Sequence, residues 1–86
     1  MKWEEITHSL PERFVLVEAI KASSSNRIRK LQDMAIIQDY DNPQEAWDGY
    51  KHFHKQYPMR ELYVFHTSRT DVEEVEEFFT GIRQRS

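Results

Sequence analysis

Eighty-six residues carry 12 Lys and Arg against 15 Asp and Glu, a net charge of −3, and no cysteine. A chain of this length is expected to form one α+β domain, residues 1–86, burying about 60–65% of the surface its unfolded form exposes; the missing thiols exclude a disulfide-stapled scaffold, a thiolate nucleophile and a thiolate metal site. No apolar run approaches the ~20 residues of a membrane span, and MKWEEITHSLPERF lacks the basic segment and apolar block of a signal peptide, so a cytoplasmic setting is expected.

The charge is unevenly spread. Residues 1–70 hold 10 basic and 10 acidic side chains, while residues 71–86 hold 2 and 5. All the net negative charge therefore belongs to the C-terminal segment, a balance unlike the strongly basic domains of dedicated nucleic-acid binders.

Taken along the chain, Trp3, Ile6 and Leu10 recur at spacings of three and four ahead of Pro11, which predicts a short amphipathic helix docked through Trp3. FVLVEAIKA follows. As a strand it points Phe14, Leu16 and Ile20 one way and Val15, Val17 and Ala19 the other. Both faces are apolar, with Glu18 the polar exception, so the run belongs in the middle of a sheet covered on two sides. Beyond the polar tract SSSNRIRK, LQDMAIIQDY reads as a second strand with Met34, Ile36 and Tyr40 on one face and Leu31, Ala35 and Ile37 on the other. The two runs predict an antiparallel hairpin. Its loop has no glycine, so an irregular, mobile tip is expected and not a tight two-residue turn.

NPQE predicts a helix start, with Asn42 as cap, Pro43 at the first helical position and Glu45 completing a capping box. Ala46, Gly49, Tyr50, Phe53 and Tyr57 then recur at helical spacing until Pro58. Gly49 costs ~1 kcal/mol against alanine inside a helix, and close approach to the sheet is the expected reason for it. ELYVFHT is a third strand, and a right-handed crossover through the helix sets it beside the first. The expected architecture is a three-stranded mixed sheet of order 2-1-3. TDVEEVEEFFTGIRQR predicts an acidic C-terminal helix with a stripe of Val72, Val75, Phe79 and Ile82, capped by Thr70 with Glu73. Its charge polarity suits the helix dipole.

Chemistry is harder to find. His52 and His54 are two apart and point about 200° from each other on a helix, so they make no ligand pair. His66 lies on a strand, and no HExxH-type framework exists. Ser68 lacks the GxSxG turn of a hydrolase nucleophile and any glycine to open an oxyanion hole. The glutamates at 73, 74, 76 and 77 form a solvated face, and a chain with only two glycines has no phosphate-cradling loop. No catalytic residue, metal or cofactor is assigned.

Two surfaces remain. Lys21, Arg27, Arg29 and Lys30 share a hairpin tip without an acid, and Lys51, Lys55 and Arg60 could extend that patch toward phosphates. Trp47, Phe78 and Phe79 exceed what narrow helical stripes need, which marks them as partner-binding candidates.

MKWEEI, FVLVEAIKA, AWDGYKHFHKQYP and RELYVFHTSR, in that order, resemble the pattern of a family of short bacterial proteins of no known function. The resemblance spans residues 1–69. It implies a bacterial, cytoplasmic origin and makes Trp3, Glu18, His66 and Ser68 family-pattern positions, of which Glu18, His66 and Ser68 form a candidate functional cluster. The leading expectation is a non-enzymatic interaction module that self-associates as a homodimer. A nucleic-acid-associated regulator using the basic tip is the alternative, and a small enzyme or ligand-binding domain around His66 and Ser68 is a third reading.

Overall fold

The computed structural model describes residues 1–70 and 72–75. In chain order the elements are α1 (Trp3–Ser9), β1 (Phe14–Ser25), β2 (Ile28–Tyr40), α2 (Pro43–Gln56), β3 (Leu62–His66) and β4 (Glu73–Val75). They form an α+β fold on one four-stranded sheet of order β3-β1-β2-β4.

The order 2-1-3 holds within that sheet, but the pairing is not mixed: β1 runs antiparallel to both β2 and β3, and β4 antiparallel to β2. A crossover that sets β3 parallel to β2 two places away makes it antiparallel to the strand between them.

Val15, Leu16 and Val17 are fully buried. This is the doubly apolar centre that the sequence predicts, and each face has its own helix. On one face Trp3 and Ile6 of α1 pack with Val15, Val17, Leu31, Met34, Phe65 and Val72. The Trp3 ring meets Phe65 edge-on at 5.6 Å, and its indole N–H donates to the Arg69 carbonyl at 2.8 Å. A seven-residue helix is thus fixed by one aromatic anchor that also satisfies its polar atom.

The other face carries α2. Asn42 Oδ1 accepts the Glu45 N–H at 2.9 Å, Pro43 opens the helix, and the Tyr57 N–H closes it on the Phe53 carbonyl at 2.8 Å. A methyl group built on Gly49 would sit 2.0 Å from the Tyr40 hydroxyl oxygen. Gly49 therefore lets the helix settle onto the end of β2, as expected.

Several strand assignments need correction. The hairpin is much longer than predicted, and its tip is a two-residue turn: β1 runs to Ser25, β2 starts at Ile28, and Asn26 and Arg27 have φ of 53° and 66°. Two successive left-handed residues make the primed turn whose twist matches the strands; Asn26 tolerates that conformation without glycine. Bulges also reset the faces. The register passes from Leu16↔Gln38 to Val17↔Ile36 and from Lys21↔Asp33 to Ala22↔Leu31, leaving Ile37 and Gln32 without partners. A one-residue slip flips side-chain parity. Leu31 consequently joins Met34 and Ile36 against α1, whereas Tyr40 turns to α2. Ile20 falls at the Ala19/Lys21 shift and is 60% exposed instead of core.

The predicted C-terminal helix is corrected at its start. Glu73–Val75 form β4, with Ile28 opposite Val75, Arg29 opposite Glu74 and Lys30 opposite Glu73. The edge of β2 offers backbone hydrogen bonds to this segment, and this outweighs the local helical spacing. Asp71, Phe78, Phe79, Ile82 and the rest of 76–86 lie outside the described residues.

Candidate interaction surface

β3 is the outer strand opposite β4. The Ala19 N–H donates to the Glu61 carbonyl and the Thr67 N–H to the Arg13 carbonyl, both at 2.9 Å. Antiparallel ladders alternate narrow and wide pairs, so residues 61, 63, 65 and 67 turn their backbone groups toward β1. Leu62, Val64 and His66 turn theirs to the outer edge, where the His66 carbonyl takes the Arg69 N–H at 3.1 Å. Among the described residues no strand pairs with that edge.

An apolar cleft of about 470 Å³ opens between α2 and this edge, lined by Phe14, Pro43, Trp47, Tyr50, Leu62, Tyr63 and Val64. Trp47 is 52% exposed. Spacings of three and four along α2 stack Trp47 on Tyr50 at 5.2 Å and Tyr50 on His54 at 5.6 Å. The ammonium of Lys51 lies 5.9 Å over the Trp47 ring and 3.7 Å from Asp48. Met59, in the turn leading to β3, is 95% exposed. The arrangement offers unsatisfied backbone groups beside a large apolar surface, the two components of strand addition.

His66 and Ser68 do meet. Ser68 Oγ lies 2.8 Å from His66 Nδ1, and the Ser68 backbone N–H donates to the same nitrogen at 3.2 Å. Nδ1 accepts the Ser68 backbone N–H within this turn. Glu18 takes no part. It pairs with Leu62, whereas His66 pairs with Phe14 four residues away along β1, about 13 Å at strand rise. The Glu18 carboxylate lies instead 3.8 Å from Arg60 Nε. The histidine and serine close an exposed turn, and the three positions form no catalytic constellation. Among the described residues no three His, Asp or Glu side chains are grouped to hold a metal, and no helix is long and apolar enough to cross a membrane.

The basic residues are dispersed. Arg29 crosses β1 to form two hydrogen bonds of 2.8 Å with Glu61, and Tyr63 donates to the same carboxylate at 2.6 Å. The guanidinium holds the Glu61 carboxyl below its usual range, and burial followed by the bond to Glu61 pushes the Tyr63 phenol up. Lys30 is aligned with Glu73. Lys21, Arg27, Lys51 and Lys55 are exposed, the first two at the hairpin end and the others on α2. Sequence reasoning missed Glu61, Arg29's partner across a whole strand; only the sheet order brings them together. The order 2-1-3 expected from the sequence already leaves the third strand at an edge, but which of its residues turn outward is decided only by its ladder with β1.

Comparison with known proteins finds no matching family model, no matching curated protein and no matching solved structure.

Proposed function

We propose that the chain is a non-enzymatic interaction module that self-associates, working in the cytoplasm. The observation that supports this reading is the open β3 edge beside the apolar cleft under Trp47. An edge strand with free N–H and C=O groups binds another strand unless something blunts it, and an adjoining aromatic supplies the desolvated area that backbone pairing alone lacks.

The basic tip supports a nucleic-acid role less well. Arg29 is committed to Glu61 by two hydrogen bonds, and β4 lies in register beside Arg29 and Lys30. Phosphate contacts need cations that are not already neutralised.

Light scattering across a concentration series tests the proposal. A mass of twice 10.4 kDa is expected, with Trp47→Ala shifting the balance toward the single chain. A single-chain mass at every concentration would remove self-association.

A further inference from the structure

Resting on that reading, we infer that the partner is a second copy bound antiparallel along β3, with Val64 of each chain on a two-fold axis. The edges of the sheet differ in kind. On the far side β4 covers only Ile28–Lys30, and beyond it the β2 edge is bulged at Gln32 and Ile37 and carries Asp33 and Asp39. On the β3 side, register shifts are confined to the β1–β2 pair, and residues 62–66 contain no lysine, proline or glycine. Proteins blunt exposed edges with charge, proline, bulges or brevity. Only the β3 side is left with a regular apolar strand.

Self-pairing follows from which groups face outward. Leu62 and Val64 present both backbone groups and His66 its N–H, its carbonyl already holding the Arg69 N–H, so these must be the narrow pairs of any added ladder. An antiparallel alignment with Val64 on Val64 sets Leu62 opposite His66 at both ends and gives the longest overlap. Outside the strand it sets Arg60 opposite Ser68 and Glu61 opposite Thr67, and no like charges oppose one another. A parallel, in-register pairing would oppose Arg60 with Arg60 and Glu61 with Glu61.

The axis stands perpendicular to the sheet, so both α2 helices lie on one side of the joined sheet. The two clefts, each bounded by Leu62 and Val64 below and Trp47 and Tyr50 above, then open onto each other. The exposed Trp47 rings fill the groove between the helices. Both β3 edges are consumed in one isologous contact about the two-fold axis, so assembly closes at two copies. The result is one continuous eight-stranded sheet.

The absence of native cysteine makes single-cysteine crosslinking clean. Val64→Cys places two thiols on the axis, about 5.5 Å apart between Cα atoms and within disulfide reach. His66→Cys places them four residues apart, about 13 Å, beyond it. Under mild oxidation the first should become covalent dimer and the second should remain single chains. Val64→Pro removes only an outward N–H and so spares the β1 pairing; with unchanged circular dichroism, it should run as a 10.4 kDa chain. A wild-type dimer in which Val64→Cys crosslinks no better than His66→Cys would overturn this register while leaving self-association standing. A folded Val64→Pro that stays dimeric would also overturn the register, and a wild-type monomer would end both readings. Should Val64→Pro fail to fold, the cysteine pair alone decides.

Discussion

Arg29 and Glu61 share two hydrogen bonds of 2.8 Å although they belong to strand β2 and to the residue ahead of β3, with the whole of β1 between them. The guanidinium lies across Ser24, which takes a further bond at 3.0 Å. The pair laces three strands together beyond the end of the α1 core.

Removing one partner is therefore expected to cost more than a surface ion pair. Arg29→Ala leaves a half-buried carboxylate with Tyr63 as its remaining donor, and a loss of about 1 kcal/mol is expected after allowance for solvent screening. For a domain of this size that lowers Tm by about 4–8 °C. Thermal melts followed by circular dichroism will measure it. A shift as small as that of Lys55→Ala would show that the bidentate geometry adds nothing.

The same triad sets the pH range of stability. Glu61 is held below the usual carboxylate range, chiefly by Arg29, so its contribution is complete above about pH 4.3, the unfolded value, and is lost as pH falls through the folded value. Tyr63 is pushed up, so its contribution is complete below about pH 10 and is lost as pH rises above that. Between these limits the contribution of the triad is constant. Glu61→Gln should flatten part of the acid limb in Tm measured against pH; an acid limb identical to wild type would assign it to other carboxylates.

Gly49 gives a prediction whose sign reverses with its neighbour. Gly49→Ala drives a methyl into the Tyr40 ring. Overpacking of about 1–3 kcal/mol outweighs the ~1 kcal/mol gained in helix propensity, so stability should fall. In a Tyr40→Ser background the clash is gone and the same change should stabilise. Chemical denaturation of the four proteins of this cycle gives both values; a stability gain in the wild-type background would mean that Tyr40 moves aside freely.

Trp3 combines packing with a hydrogen bond. Trp3→Phe keeps a ring against Phe65 but abandons the Arg69 carbonyl, at an expected cost of about 1 kcal/mol. Trp3→Ala should cost about 3–5 kcal/mol, enough to threaten the fold of so small a domain. Urea denaturation separates the two. Equal losses would assign the whole effect to the indole N–H.

Much of this architecture is written in local pattern. Val15 to Val17 announce a central strand because side chains alternate and all three are apolar, and Asn42 with Pro43 announces a helix because capping is decided within four residues. Trp3 and Gly49 were legible for similar reasons, one as a lone large anchor on a short helix and the other as a costly gap on its inner face. Of the interaction surface, Trp47 was visible as an aromatic in excess of the helix stripe. The rest depended on tertiary structure, because it turns on backbone hydrogen bonds and register that have no signature in residue spacing. The bulges that carry Leu31 to one face and Tyr40 to the other are of this kind. So are the left-handed turn at Asn26 and Arg27, the pairing of Glu73–Val75 with β2, and the union of Arg29 with Glu61. Local preference selects helices and strands within a turn or two; which edge of a sheet is left unpaired is decided only when all the strands have taken their places.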